Sequence, residues 1–265
     1  MKFTIITVTK NPGESLVKTV QSVLSQRYQD WELIIKDGCS SDGTLQHVPT
    51  DDRIQLIVEP DCGIYSAMNQ ALVHANGDVI NFLNAADCYS DNHVLEQIAE
   101  ILKKSNADVV WGDLRTTPNR LILRQPSKVS RFFLYRNNIC HQTQFIKRSI
   151  FKRIGNFDES FQLLADIDFF LRLYKQNYFK LVHAGKILVD YDVGGCAMSP
   201  SYAHIADKEL KLLHSRYFSM AERIVFGMLQ ILSMRKVRIR ISRSRNCTPL
   251  QKLYTTFRNI IASRF

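Results

Sequence analysis

The chain has 265 residues, of which 45% are hydrophobic and 23% charged, a composition typical of a folded globular protein. Its formal net charge of +10 comes entirely from residues 216–265, which hold eleven Lys or Arg and one acid, whereas residues 1–215 hold 24 basic and 24 acidic residues. The neutral body argues against a nucleic-acid-binding protein, and no apolar run reaches the ~20 residues that span a bilayer.

The first 115 residues alternate β-branched runs with apolar residues at helical spacing. The predicted strands are 3–8, 31–35, 53–58, 78–83 and 108–111. The predicted helices are 15–25, 64–75 and 94–103, with a short turn of helix at 44–47. Asp91 or Asn92 is expected to cap the helix at 94–103. Strands joined by crossover helices predict an α/β fold with a mostly parallel central sheet and flanking helices.

After residue 115 the pattern is looser, and it predicts shorter elements. The expected strands are 120–123, 179–183 and 186–190, and the expected helices are 149–154, 167–174, 203–218 and 220–234. Such a segment is where a second substrate would be bound.

Polar residues follow four of the predicted strands, at 9–11, 37–40, 59–61 and 84–87. In open parallel sheets, ligands bind outside the carboxyl ends of the strands. The four clusters on one edge therefore predict a binding site for a nucleotide-type ligand.

Each polar segment, taken alone, also has an ordinary structural interpretation. Asp42 suits an Asx turn, Gly63 suits a helix start, and Asp87 suits a turn. Asp166 suits a helix N-cap. Because Asp166 and Asp168 lie two residues apart, they do not share a helical face, so one can face a cleft while the other caps the helix or pairs with an Arg.

In this order, however, the segments resemble the inverting family 2 glycosyltransferases of bacterial polysaccharide synthesis, which have the GT-A fold. They read TIITVTKN…SVLSQRYQDWELIIKDGCSSDGT, DCGIYSAMNQAL, NGDVINFLNAAD and RIGNFDESFQLLADIDFFLRL. The resemblance covers residues 3 to about 195. It implies transfer of a sugar from a nucleotide-sugar, expected to be a UDP-sugar, to a glycan or lipid-linked acceptor with inversion, in cell-surface polysaccharide synthesis.

The resemblance also assigns roles to individual residues. Asp166 matches the catalytic base, and Asp87 matches the ligand of a divalent metal, Mn²⁺ or Mg²⁺. The residues expected to bind the nucleotide are Thr9, Asp37, Asp61 and Asn84. The residues expected to line the sugar or acceptor region are Tyr65, His141 and Gln142, although a lone His such as His141 is more often structural.

This chain departs from the family pattern where Asn84, Ala85 and Ala86 stand in place of further acids before Asp87. Metal binding would then depend on Asp87, the diphosphate and water, with help from the Asn84 carbonyl. The thinner motif leaves a non-catalytic sugar-nucleotide binding module as an alternative. A nucleotidyltransferase would need a phosphate loop richer in glycine than TKNPGESL.

The expected organisation is a GT-A domain at 1–215, with a donor half at 1–115 and an acceptor half at 116–215, followed by a helical basic tail at 216–265. The tail interleaves cations with apolar residues, which predicts contact with an anionic membrane surface; an oligomer contact, a solvated face or a nucleic-acid patch are the alternatives. The six cysteines lack C-x-x-C and zinc spacing, and no signal peptide is seen, so a cytoplasmic protein at the inner face of the plasma membrane is expected.

Overall fold

A computed structural model describes residues 1–194 and 202–232, with the backbone alone for 231 and 232. The predicted helix end at 233–234 and the alternating basic and apolar residues further along the tail lie outside the described residues. The chain divides into two compact units, one formed by Met1–Gln125 and Ile139–Ala206, the other by Pro126–Asn138 and Asp207–Phe265.

The strands are β1 (Phe3–Thr9), β2 (Trp31–Asp37), β3 (Ile54–Val58), β4 (Val79–Phe82), β5 (Cys88–Tyr89), β6 (Val109–Thr117), β7 (Ile122–Leu123), β8 (Phe145–Lys147) and β9 (Leu181–Asp192). The helices are α1 (Ser15–Leu24), α2 (Ile64–Val73), α3 (Val94–Ser105), α4 (Arg131–Arg136), α5 (Arg148–Ile154), α6 (Ala165–Lys175), α7 (Ala203–Tyr217) and α8 (Met220–Leu232). Short 3-10 helices cover Thr44–His47 and His141–Thr143.

In the described part of the first unit, the strands form one sheet in the order β3-β2-β1-β4-β8-β6-β9-β5, with β7 paired to β6. The pairs β1–β2, β2–β3, β1–β4 and β6–β9 are parallel, whereas β8 is antiparallel to both β4 and β6. This confirms the predicted α/β class with a mostly parallel central sheet and flanking helices.

The core forms around β1 and β2, which are almost continuously buried, as expected for strands that are covered on both faces. The apolar face of α1 contributes Leu16, Val20 and Val23 to the same buried cluster, and α3 contributes Ile98 and Leu102. The cluster holds the sheet in one register, and that register sets where each strand ends.

Register places three strand ends at one edge of the sheet. Thr9 at the end of β1 is the partner of Asp37 at the end of β2, and Asp37 is in turn the partner of Val58 at the end of β3. On the other side of β1, Ile6 is paired with Phe82, the last residue of β4. The polar residues that follow these strands therefore share one edge.

Two local predictions were wrong. The segments 179–183 and 186–190 form the single strand β9, because an irregular register opposite Trp111–Asp113 and a left-handed Gly185 (φ +67°) let the strand bulge and continue. Helix α3 has His93 as its N-cap, without a side-chain capping bond. Asp91 instead accepts a hydrogen bond from the His93 N–H at 2.7 Å, in the turn before the helix.

The described part of the second unit contains α4, most of α7, and α8. The Tyr135 ring of α4 stacks on His214 of α7 with centroids 4.0 Å apart, and both rings contact Phe218. Within the ranges 1–194 and 202–232, no helix combines the length and the hydropathy needed to cross a membrane.

Candidate functional site

The first group of predicted site residues lies where β1, β2 and β3 end. The Asp37 side chain is fully buried, and its two carboxylate oxygens accept hydrogen bonds from the Ser40 N–H at 2.7 Å and the Ser40 hydroxyl at 2.5 Å. The Thr9 hydroxyl oxygen is buried and has no hydrogen-bond partner among the described residues. A buried hydroxyl without a partner at the edge of a cleft is free to bind a ligand.

Lys36, which the sequence reasoning missed, connects this group to Asp61. Its ammonium group is completely buried, donates to the carbonyl oxygens of Glu59 (2.6 Å) and Asp37 (3.3 Å), and lies 3.6 Å from the Asp61 carboxylate. A Cβ added to Gly38 would lie 2.6 Å from the same carboxylate, so the Asp61 side chain packs directly against the Gly38 backbone. A lysine directly after the apolar residues 33–35, still within a buried strand, was the available signal.

The second group is a chain of hydrogen bonds through four predicted residues. The Tyr65 hydroxyl lies 2.9 Å from the Asp166 carboxylate and 2.6 Å from the Leu163 carbonyl oxygen, so its one proton is shared between two acceptors. The other Asp166 oxygen lies 3.3 Å from Nδ1 of His141, and Nε2 of His141 lies 3.2 Å from the Asn84 amide nitrogen. These residues come from α2, α6, the 3-10 helix at His141–Thr143 and the turn after β4. The fold therefore brings together residues from four separate segments.

The arrangement of atoms assigns the proton on His141. With the Asn84 amide nitrogen turned to His141, the tautomer of a neutral His141 that fits both contacts accepts at Nε2 and carries its proton on Nδ1, towards Asp166. With its nitrogen turned to His141, Asn84 directs its amide oxygen elsewhere. That oxygen is buried and has no hydrogen-bond partner in the described ranges.

Asp87 is held beside this chain. Its two carboxylate oxygens accept from the Gln142 amide at 3.0 Å and from the Asp192 N–H at 2.9 Å, and its own N–H donates to the Asn84 carbonyl at 3.0 Å. Burial raises the pKa of the Asp87 carboxyl to about 6, against the lowering effect of the two hydrogen bonds and the nearby His141. A buried carboxylate of this kind is stabilised by a cation.

Helix α6 decides which of its two acids enters the site. The N-cap of α6 is Leu164, so Asp166 lies in the first turn and is not the capping residue. Asp168, one-hundredth exposed, faces away and pairs with Arg172 at 2.8 Å. Asp168 thus pairs with an Arg and Asp166 lies on a different side of the helix, because residues two apart on a helix point in different directions.

Three further residues of the site came from the structure alone: Cys140, Tyr191 and Asp192. The Cys140 thiol donates to the Gln142 side chain at 2.9 Å, and burial raises its pKa far above the ordinary value. Burial also raises the pKa of Tyr191 to about 12, helped by the charges of Asp87 and Asp166. Asp190 and Asp192 at the end of β9 form a polar strand end, like the four polar strand ends recognised in the sequence.

The donor atoms at Asp87 fit a divalent cation bound together with a phosphorylated ligand. Mg²⁺ is usually held by one or two protein oxygens and completes its shell with phosphates and water. The Asp87 carboxylate and the unpartnered Asn84 amide oxygen supply that number. No group of three His, Cys, Asp or Glu side chains within the described residues is arranged to hold a metal, so the protein alone does not form a complete cage.

Residues 4–198 match the family model described as glycosyl transferase family 2. Among curated relatives, an uncharacterized glycosyltransferase of Mycobacterium tuberculosis is 34% identical over 175 residues, covering 63% of this chain and 67% of that protein. The PGL/p-HBAD biosynthesis glycosyltransferase of Mycobacterium bovis is 29% identical over 214 residues, covering 78% and 81%. The teichuronic acid biosynthesis glycosyltransferase TuaG of Bacillus subtilis, itself named as putative, is 34% identical over 108 residues, covering 39% and 43%.

Three solved structures share the fold. S. aureus TarS 1–349 in complex with UDP has a TM-score of 0.67 at 18% identity, covering 100% of this chain and 81% of that chain. In a longer TarS structure, with a TM-score of 0.63, this chain spans only 40% of the TarS length. The mannosyltransferase PcManGT of Pyrobaculum calidifontis, in complex with GDP-Man and Mn²⁺, has a TM-score of 0.60 at 15% identity, covering 98% and 85%. These likenesses confirm the GT-A type fold.

Proposed function

Because the chain belongs to glycosyl transferase family 2 and is a transferase enzyme, we propose that it moves a sugar from a nucleotide-sugar to a hydroxyl of a glycan or lipid-linked acceptor with inversion. The names of two relatives refer to PGL/p-HBAD biosynthesis and to teichuronic acid biosynthesis. These names support a lipid-linked or a glycan acceptor. The alternative, a non-catalytic sugar-nucleotide binding module, is weaker because the site retains Asp166 as a candidate general base.

The observation that carries this proposal is the setting of Asp166. Its side chain is 10% exposed, and its two oxygens lie within hydrogen-bond distance of the Tyr65 hydroxyl and of Nδ1 of His141. An ionised carboxylate can only accept hydrogen bonds, so an acceptor hydroxyl that reaches Asp166 would point its proton at it. Asp166 would take the proton of that hydroxyl as its oxygen attacks the anomeric carbon and the nucleoside diphosphate leaves.

His141 is proposed as a positioning residue between Asp166 and Asn84. In its neutral form it donates from Nδ1 and accepts at Nε2, which holds the Asp166 carboxylate in one orientation. Tyr65 supports the same carboxylate from the first turn of α2. Gln142, the neighbour of His141, similarly orients Asp87.

The donor is proposed to lie along the edge formed by Thr9, Asp37 and Asp61. Asp37 and Asp61 are acceptors suited to the N–H groups of a base or the hydroxyls of a ribose, and the Thr9 hydroxyl has no partner within the part of the chain that the structure describes. The UDP complex of the TarS structure supports a UDP-sugar as the first donor to test.

A divalent cation, Mn²⁺ or Mg²⁺, would be held by the Asp87 carboxylate and the Asn84 amide oxygen. When bound, such a cation stabilises the negative charge of the departing diphosphate. Gln142 and the Asp192 N–H keep the Asp87 carboxylate in place for this role. The Mn²⁺ in the PcManGT complex supports the proposal.

We also propose that residues 1–115 bind the donor, that residues 116–215 bind the acceptor, and that the enzyme works in the cytoplasm. The carboxylates that would meet the donor lie before residue 115, and the candidate base lies after it. Residues 216–265 carry none of the predicted site residues.

The test is hydrolysis of UDP-, GDP- and dTDP-sugars by the purified full chain, with Mn²⁺, with Mg²⁺ and with EDTA. We expect release of one nucleoside diphosphate that stops with EDTA and falls on the order of 100-fold in Asp87→Asn, since one charge partner of the diphosphate is lost. Asp52→Asn, at an exposed acid outside the site, is the control. Release that is indifferent to both EDTA and Asp87→Asn would contradict the metal role, and no binding of any nucleotide-sugar would contradict the donor site.

A further inference from the structure

Helix α8 turns an apolar face to solvent. The residues on this face are Met220, Ala221, Ile224, Val225, Met228 and Leu229, all of them exposed, and at about 100° per residue they span half of the helix circumference. Met220 is 71% exposed, Met228 58% and Ile224 54%. None of the six side chains on this face is polar.

The rest of α8 holds the helix in this orientation. Glu222 forms an ion pair with Arg131 of α4 and accepts a hydrogen bond from the Ser219 N–H at 2.9 Å. Phe226 packs between Phe132 at 5.3 Å and Tyr135 at 5.4 Å, measured between ring centroids. An ordinary surface helix buries its apolar face, whereas α8 leaves one apolar face exposed and holds Glu222 against α4.

The sequence directly after α8 supplies the second observation. Residues 233–265 hold nine Lys or Arg and no Asp or Glu, and Arg235 follows the helix within three positions. An exposed apolar helix face next to a dense group of cations has the chemistry that binds anionic lipid surfaces. A second copy of the chain would bring two such cationic segments together, and their repulsion disfavours that partner.

We propose that the outward face of α8 lies on an anionic lipid bilayer. Its apolar side chains enter the boundary between headgroups and acyl chains, and the positive charge that follows α8 in the sequence favours anionic headgroups. This surface holds the enzyme at a membrane whether or not its acceptor is a lipid. The proposal is independent of the donor and of the base.

The experiment is co-sedimentation of the full chain with vesicles of phosphatidylcholine alone or of phosphatidylcholine mixed with phosphatidylglycerol. We expect the protein to sediment with the anionic vesicles, less so at high salt because ionic screening weakens the cationic contacts. Inorganic phosphate at the same concentration as the lipid should not release it, which separates a bilayer from a free phosphate ligand.

The variant Ile224→Gln/Met228→Gln removes apolar area from the face without touching the α4 contacts. It should reduce sedimentation with anionic vesicles on the order of tenfold. Val73→Gln, at an exposed apolar residue of α2, is the matched control and should sediment like wild type. Wild type and both variants should hydrolyse the donor at the same rate and give the same circular dichroism spectrum, because the changed side chains are exposed to solvent.

A second variant, with Arg235, Lys236, Arg238 and Arg240 changed to Gln, should lose the preference for anionic over neutral vesicles. Equal sedimentation of wild type and of the α8 variant would overturn the proposal, as would wild-type protein that stays in the supernatant. If wild type is a dimer by light scattering and the α8 variant is a monomer with unchanged vesicle binding, the face is an interface between copies instead.

Discussion

At the scale of single residues, Asp166 is the group whose chemistry can be tested most directly. Its carboxylate is oriented by the Tyr65 hydroxyl and by His141, and it lies in the first turn of α6. Changing it to Asn keeps the shape of the side chain and removes its capacity to take a proton.

Asp166→Asn should lower kcat by about 10²–10⁴-fold and leave the donor dissociation constant within about twofold of wild type, because general-base catalysis contributes that much to rate and nothing to donor binding. Steady-state transfer assays and calorimetric titration of the donor would measure the two quantities. Asp158→Asn, which makes the same change at an acid whose carboxylate accepts from Ser160, is the control. Wild-type turnover of Asp166→Asn would remove Asp166 from the mechanism.

Lys36 is a second residue with a definable role, because a fully buried ammonium group next to Asp61 fixes the loop after β3. Lys36→Met retains the apolar part of the side chain and removes the three contacts of its nitrogen. We expect the free energy of unfolding to fall by about 3 kcal/mol, since a buried acid loses its charge partner, and donor binding to weaken on the order of tenfold.

Chemical denaturation and donor titration of Lys36→Met would be compared with Lys18→Met, at an exposed lysine of α1. If Lys36→Met loses stability but binds the donor as wild type does, Lys36 supports the fold alone and the Asp61 loop does not contact the nucleotide.

At the scale of elements, Glu32 of β2 connects several segments at the edge of the sheet opposite the site. Its carboxylate accepts hydrogen bonds from the Lys2 ammonium, the Thr4 hydroxyl and the Asn76 N–H, each at 2.6 Å. Burial would raise the pKa of Glu32, but these hydrogen bonds and the Lys2 charge lower it below the ordinary value of 4.5. One side chain thus joins the starts of β1 and β2 to the turn before β4.

The lowered pKa of Glu32 predicts the sign of its pH dependence. The charged form is favoured in the folded state, so its stabilisation is present above pH 4.5 and is lost as the pH falls through the folded-state pKa. Glu32→Gln should be about 1–2 kcal/mol less stable than wild type at pH 7, and the difference should shrink below pH 4.5.

Urea denaturation of both proteins between pH 3 and 8 measures that difference. Glu100→Gln, at an exposed acid paired with Lys104 in α3, should show almost no difference at any pH. A gap between wild type and Glu32→Gln that is constant with pH would mean that packing, and not charge, accounts for the loss.

Helices and strands were predicted correctly where apolar residues recur regularly over a long segment, and wrongly where that pattern is interrupted. The helices α1 and α2 and the strands β1 and β2 were found within about two residues, because their apolar residues recur at one period. Strand β9 was divided in two because Gly185 resembles a turn in the sequence, whereas pairing with β6 carries the strand through it.

At the scale of the whole molecule, charge and chemistry are separated along the chain. All the residues placed in the candidate site lie between Thr9 and Asp192, in the segments 1–125 and 139–206 of the first compact unit. The excess positive charge lies after residue 215.

Ending the chain at residue 232 would remove nine Lys or Arg and no acid, which lowers the formal net charge from +10 to +1. We expect donor hydrolysis in detergent to remain within about twofold of the full chain, since no site residue is lost, while retention on a cation exchanger is abolished. Donor assays and salt-gradient elution would check this. A large loss of donor hydrolysis would show that the tail supports the site.

The sequence by itself determined the α/β class, the family resemblance and the residues at the ends of β1, β2 and β4, because apolar periodicity and strand-end polar residues are local properties of the chain. Only the tertiary structure decided which of these residues meet. Tyr65 and Asp166 are 101 residues apart in sequence and Asn84 and His141 are 57 apart, and their contacts depend on strand order and register. The burial of Lys36 and the outward apolar face of α8 likewise follow from packing, since neither local composition nor spacing specifies which side of an element is covered.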